Sequence, residues 1–256
     1  MKKPTILVTN DDGITAPGIR TLVEVAREIG RVVVVAPDSP QSGKGHALTL
    51  EDAIRLKKSD IFEGVEAYEC SGTPVDCVKL AKSIVLKDNA PDLCISGVNH
   101  GSNVSINILY SGTMSAAMEA AMEGIPAIGF SLLDFSWDAD FSAAKVVVEK
   151  MVKHVLANGI PHANLLNVNI PKLPIEEIKG IKVCRQAQAN WVEDFQKMDN
   201  PRNYDLYWLT GQFINQDQRT DTDVRALSEG YVSVVPCQFD LTAEKAKEAM
   251  SSISLK

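Results

Sequence analysis

An apolar run, Thr5-Ile6-Leu7-Val8-Thr9, ends abruptly in Asn10-Asp11-Asp12-Gly13. Adjacent carboxylates at the end of a buried strand are costly, because like charges repel and both lose water. A shared divalent cation removes that cost, and oxygen-seeking Mg²⁺ or Mn²⁺ suits such a pair. Neighbouring strand residues point to opposite faces, but Gly13 allows a turn that lets both carboxylates converge. The plainer alternative is a polar turn in which an aspartate caps the following helix.

Three further segments carry oxygen and nitrogen groups of the same kind. Ala36-Pro37-Asp38-Ser39-Pro40-Gln41-Ser42-Gly43-Lys44-Gly45-His46 follows a valine-rich run. Its serines, glycines and Lys44 could bind an anion or complete a metal shell, although its composition alone reads as a surface loop. Ser96-Gly97-Val98-Asn99-His100-Gly101-Ser102-Asn103 offers Asn99 as a neutral ligand that adds no charge to paired carboxylates. His100 and Asn103 could reach a substrate, while a lone histidine in a glycine-rich loop is more often solvated. Tyr110-Ser111-Gly112-Thr113 opens a helix, where hydroxyls, free backbone N–H groups and the dipole make a phosphate cradle. Each alone could be a plain cap or loop. Together they place oxygen ligands and an anion cradle just beyond predicted strand ends, which fits a metal-assisted reaction at a phosphate ester. No Walker-type phosphate loop and no Gly-x-Gly-x-x-Gly after the first strand is present, which argues against nucleoside triphosphate and dinucleotide cofactors.

The elements that must position these groups alternate along the chain. Thr5–Thr9, Arg31–Ala36, Leu93–Gly97, Ile125–Ser131 and Leu165–Asn169 read as strands buried on both faces of a parallel sheet. Between them, apolar spacing predicts helices ending at Gly30, over Val75–Leu86, over Thr113–Glu123 and over about Ser142–Asn158. Thr73 and Pro74 form a standard helix start for the second, with a secondary role in shaping the pocket. The expected fold is α/β: a Rossmann-like three-layer αβα sandwich with a mostly parallel sheet, its ligand beyond the carboxyl ends of the strands.

This core is expected over residues 1–185. Residues 186–223 differ, being rich in Gln, Asn, Asp and aromatics such as Trp191, Tyr204, Tyr207, Trp208 and Phe213. Tyr207, Leu209 and Phe213 look like parts of short strands bearing exposed aromatics, the mark of an extended oligomerisation arm on a second subunit. Residues 224–256 supply a return strand, Gly230–Pro236, and a closing helix over Thr242–Ser251 with Thr242 as its cap.

Composition sets the outer limits. The 256 residues carry a net charge of −7 and are 45% hydrophobic, enough for one large core and unsuited to duplex nucleic acid. The 5 cysteines are scattered, with no C-x-x-C pair, and read as free thiols in a reducing compartment. Met1-Lys2-Lys3-Pro4 leads into a strand-length run, not a signal-peptide core, and no apolar stretch approaches the roughly 20 residues that cross a bilayer. The expectation is a cytoplasmic protein with no membrane contact.

The ordered motifs resemble the SurE family, the stationary-phase survival nucleotidases. The resemblance rests on Asn10-Asp11-Asp12-Gly13 with Ala16-Pro17-Gly18, Ala36-Pro37-Asp38 with Gln41-Ser42-Gly43, and Ser71-Gly72-Thr73-Pro74. It continues through Ser96–Asn99, Gly101–Asn103, Tyr110–Thr113, Asn167-Val168-Asn169-Ile170-Pro171, Thr222-Asp223 and Gly230-Tyr231-Val232-Ser233. The loop after Ser42, with Lys44-Gly45-His46, and the arm depart from what the family demands. The resemblance implies a metal-dependent phosphatase of nucleoside 5′- and 3′-monophosphates, some members also cleaving short polyphosphate. It implies Asp11, Asp12, Ser42 and Asn99 as ligands of one Mg²⁺ or Mn²⁺ per subunit, and a homodimer or homotetramer. Asn103, Ser111, Gly112 and Thr113 would surround the phosphate, with Asn10 and Gly43 as further contacts; Asp11, Asp12, Asn99 and Asn103 would form the catalytic set. The competing reading is a nucleotide-sugar transferase or nucleotide-binding domain that uses the same strand-end metal.

Overall fold

The first apolar run forms β1 (Thr5–Thr9), buried at every position, and the valine-rich run forms β2 (Arg31–Pro37). Between them α1 (Pro17–Ile29) turns its apolar stripe inward and stops at Gly30. The computed structural model describes residues 3–136, 138–202 and 204–253, so the Met1-Lys2 start lies outside the described residues. A short antiparallel pair follows, β3 (Leu56–Ser59) and β4 (Glu66–Cys70). No apolar run announces this pair, because β3 is an edge strand whose Lys57 and Lys58 face solvent, as edges require.

Next come α2 (Pro74–Leu80), β5 (Leu93–His100), α3 (Gly112–Met122), β6 (Ala127–Leu132), α4 (Ser142–Asn158) and β7 (Leu165–Ile170). Thr73 caps α2 with a complete capping box to Asp76, as its sequence predicts. The predicted helix over Val75–Leu86 divides, since α2 ends at Leu80 and the chain continues as a π-helical turn over Ala81–Val85. The last elements are β8 (Ile181–Val183), β9 (Ala189–Met198), β10 (Leu206–Asn215), α5 (Asp223–Ser228), β11 (Val232–Cys237) and α6 (Glu244–Ala249).

Nine strands make one sheet in the order β3-β4-β2-β1-β5-β6-β7-β11-β8. Its centre is parallel, and only the β3–β4 and β7–β11 pairs run antiparallel. One core lies between the sheet and α1 with α4, centred on Ile6, Val8, Ile95 and Phe130; the other lies under α2 and α3, around Leu7, Val33, Cys94 and Met114. The sheet is thus the middle of three layers. Chain order reverses at β1, which pairs with β2 on one side and β5 on the other. In open α/β sheets a ligand crevice opens at such a reversal.

The arm is more regular than its composition suggests. Instead of short strands, β9 and β10 pair over ten residues each as a hairpin separate from the main sheet. Their register puts Trp191, Phe195, Tyr207, Leu209 and Phe213 on one face, most of it exposed.

The closing helix is shorter than predicted, and Thr242 is not its cap. Ala243 holds that position without a side-chain bond, while the Thr242 N–H donates to Asp240 Oδ1 at 2.9 Å, so Asp240 takes up the turn instead. All 5 cysteines are free thiols. Among the described residues no helix is long and apolar enough to cross a membrane.

Candidate active site

β1 delivers Asn10, Asp11 and Asp12 to the reversal point, and β5 delivers Asn99 and His100 beside them. Neither aspartate caps α1: its cap is Ala16, without a side-chain bond, and Pro17 presets the first turn. The carboxylates are therefore not spent on local structure. Asn10 is partly so, since its Nδ2 donates to the Gly13 carbonyl at 2.9 Å, closing the turn after the pair.

The helix start of α3 lies directly against Asp11. Thr113 Oγ1 donates to Asp11 Oδ1 at 2.5 Å. A Cβ on Gly112 would lie 2.6 Å from Asp11 Cβ, so only glycine lets the helix approach this closely. Ser111 caps the helix by accepting the Met114 N–H at 3.0 Å. The Thr113 hydroxyl is committed to Asp11, which leaves the Ser111 hydroxyl proton and backbone N–H groups of the first turn as the donors for an anion.

Electrostatics mark the same point. Burial, then the neighbouring Asp12 charge, push the Asp11 carboxyl from 3.8 up to about 6, with Thr113 opposing. Asp12 is also raised by burial, against the His100 backbone N–H. Among the described residues, Thr9 Oγ1, Asn10 Oδ1, Asp12 Oδ2 and Ser96 Oγ at this strand end are buried without a hydrogen-bond partner, as is Ser233 Oγ on β11. Buried polar atoms are rarely left unpaired, and the free Asp12 oxygen beside a raised Asp11 marks a ligand position. Oxygens of this kind fit a hard cation. No group of three or more His, Cys, Asp or Glu side chains among the described residues could hold a metal, so a shell here must combine the two carboxylates with neutral oxygens.

Asn99 is the neutral oxygen that β5 brings there. Its Nδ2 donates to the His100 and Gly101 carbonyls, at 3.0 and 2.8 Å, so its Oδ1 is the free end. His100 is half-buried rather than solvated, its ring edge-on to Phe141 with centroids 5.3 Å apart. The loop with Ser42 and Gly43 is brought to the strand ends by its backbone. The Gln41 N–H donates to the Asp11 carbonyl at 2.7 Å, and Gly45 N–H to the Tyr110 carbonyl at 3.2 Å. Ser42, Gly43 and Lys44 are exposed between these two pins.

Asn103 is buried, and its surroundings are what sequence reasoning missed. Its N–H donates to Asn169 Oδ1 at 2.7 Å, its carbonyl accepts from Asn167 Nδ2 at 2.7 Å, and its Nδ2 donates to Ser131 Oγ at 2.8 Å. Asn169 Nδ2 closes the network on Asn167 Oδ1 at 2.9 Å. The signal was the alternation Asn167-Val168-Asn169 within a fully buried strand, which puts both amides on one face. A second buried support is Asp223, which accepts from the Ser105, Ala187 and Val224 N–H groups and ties the root of the arm to the segment before Ser111.

A doubly wound α/β protein with paired carboxylates facing a helix start at the sheet reversal belongs to the class that can seat an anionic ligand beside a cation. The family model described as Survival protein SurE matches residues 6–193. The chain is 62% identical over 256 residues to a Christiangramia forsetii protein named 5′-nucleotidase SurE, covering 99% of this chain and 98% of that one. A Bacteroides fragilis protein of the same name is 43% identical over 257 residues, with 99% of each covered. The crystal structure of the Aquifex aeolicus SurE protein matches with a TM-score of 0.84 at 42% identity, covering 97% of this chain and 98% of that one. The chain belongs to the SurE family.

Proposed function

We propose that this chain is a metal-dependent phosphomonoesterase that hydrolyses nucleoside 5′- and 3′-monophosphates to nucleoside and phosphate. The observation that carries this reading is buried Asp11 set against the start of α3, beside half-buried Asp12 with its unpartnered oxygen. Relatives named 5′-nucleotidase at up to 62% identity favour hydrolysis over nucleotide-sugar transfer.

Asp11, Asp12, Ser42 and Asn99 would hold one Mg²⁺ or Mn²⁺ per subunit. When bound, that cation supplies positive charge to the phosphoryl oxygens as negative charge builds in the transition state. Gly112 and Thr113 N–H groups, with the Ser111 hydroxyl, bind the phosphoryl oxygens at the positive end of α3. Asn103 presents its remaining amide hydrogen to the phosphate while the Asn167–Asn169 network holds it still. Asn10 and Gly43 flank the phosphate from the two loops. Thr113 fixes Asp11 in one orientation, and Asp11 or Asp12 would orient the attacking water and take its proton.

The apolar face of the β9–β10 hairpin packs on a second copy, making residues 186–223 an arm of a homodimer or of a tetramer built from dimers. Residues 1–185 form the catalytic core, and 224–256 return the chain to it. Five free thiols suit a cytoplasmic location. The test is phosphate release from a panel of nucleoside monophosphates with no acceptor present, before and after EDTA, with Mg²⁺ or Mn²⁺ restored. Metal-restored release is expected. Release that survives EDTA removes the metal, and absence of release from every nucleotide removes the reading.

A further inference from the structure

We propose that His46 is a positioning residue, which clamps the Ser42 loop over the strand ends by anchoring it to the buried Glu119 of α3. This rests on the assignment of Ser42 to the cation site.

Glu119 is a carboxylate with its side chain only 3% exposed, on the helix whose first turn holds Asp11. Two groups reach it. Lys79 Nζ of α2 lies 2.5 Å from Oε1, and His46 Nε2 lies 2.8 Å from Oε2. Lys79 already supplies the charge that a buried carboxylate needs, and Glu119 in turn raises the Lys79 ammonium above its ordinary range. The histidine is thus not required for neutralisation. Its contact instead ties a loop to a helix.

That loop has little else to hold it. From Gln41 to Gly45 the bonds that tie it to other elements are backbone ones, Gln41 to Asp11 and Gly45 to Tyr110 at 3.2 Å; Lys44 to Gln41 at 3.2 Å and the Gln41 side chain to Ser39 stay within the loop. Just past His46, the Ala47 carbonyl accepts from Thr73 Oγ1 at 2.8 Å, which secures the far side on α2. His46 is the side chain that binds this segment to α3. The helix then holds both halves of the site, Asp11 through Thr113 at its start and the Ser42 loop through Glu119 two turns on. An ordered loop spends less conformational entropy when its hydroxyl joins a cation, so the clamp acts on affinity rather than on the chemical step.

The experiment titrates the metal-free protein with Mn²⁺ and follows free Mn²⁺ by electron paramagnetic resonance, a readout independent of turnover. His46→Ala should weaken binding about fivefold, the loss of roughly one ordinary hydrogen bond from a part-exposed side chain. His46→Gln, whose amide can still donate to Glu119, should restore most of it, and kcat at saturating Mn²⁺ should stay within about twofold in both. Combined with Ser42→Ala, the His46→Ala change should add little beyond Ser42→Ala alone, because it acts through that residue. Wild-type affinity in His46→Ala, with binding lost in Asp12→Asn, overturns the clamp and leaves the site standing. A full additive loss in the double variant also overturns it. Wild-type affinity in Asp12→Asn overturns the site assignment, and the clamp with it.

Discussion

The strand-end site and the β9–β10 arm break the usual rule of burial in opposite directions. At the end of β1, buried oxygens of Thr9, Asn10 and Asp12 lack partners. On the arm, Phe195, Trp208 and Leu209 are each more than 60% exposed. The first defect costs electrostatic and hydrogen-bond energy, which a small charged ligand recovers. The second leaves apolar area in water, which only another surface of similar size recovers. The kind of defect thus matches the kind of partner proposed for each: an ion and a phosphate at one, a second copy of the chain at the other.

The contrast can be broken most sharply at Asp12. Asp12→Asn should lower metal-dependent phosphate release by about 10²–10³-fold, measured as kcat/KM on a nucleoside monophosphate, with assembly unchanged. Retention of turnover would show that the unpartnered oxygen has no role in the chemistry.

Gly112→Ala puts a methyl group where Asp11 Cβ stands 2.6 Å away. The helix start must retreat, costing about 1–3 kcal/mol of stability in chemical denaturation together with most of the activity. Asn169→Ala should cost about 1–3 kcal/mol as well, because it strips the Asn103 N–H of its acceptor inside the protein. Its kcat should fall more than its KM rises, and an effect on KM alone would mean that Asn103 does not depend on the network.

Asp11→Asn separates the cost of the site from its use. The Asp11 carboxyl is raised from 3.8 to about 6, so the folded protein holds this proton more tightly than the unfolded chain does. Stability from that difference is present below about pH 4 and is lost as pH rises through about 6. The metal-free Asn variant should therefore be more stable than metal-free wild type at pH 7, by about 1–3 kcal/mol, and equal to it near pH 4. Urea unfolding at both values checks the sign.

The smallest effect on the subunit itself is expected at the arm. Phe195→Glu with Leu209→Glu should change subunit stability by less than about 0.5 kcal/mol, because neither side chain is buried. Sedimentation should nonetheless show dissociation. A large loss of stability without dissociation would make the hairpin part of the subunit's own core.

Much of this was legible in the chain. The buried strands of the parallel sheet need apolar residues on both faces, and α1 and α4 carry their stripes openly, so their positions follow from local pattern. Elements whose stability comes from neighbours were less legible. β3 hides behind its lysines, the π-helical turn after Leu80 interrupts a continuous apolar pattern, and the tail's capping residue moved by one position. In the site, Asp11, Asp12, Asn99 and the Ser111–Thr113 start were visible as chemistry at strand ends. Asn167, Asn169 and Glu119 were not, because each works through a residue more than 60 positions away.

By itself the sequence determined the alternating fold, the paired carboxylates at the first strand's end and the Ser111-Gly112-Thr113 helix start. These depend on residue type and short-range spacing, which the chain carries locally. Only the tertiary structure decided that Thr113 serves Asp11, that buried amides from β7 hold Asn103, and that His46 reaches Glu119. Those contacts exist because the sheet order brings distant strand ends together, and a buried polar group must be satisfied by whatever that order places beside it.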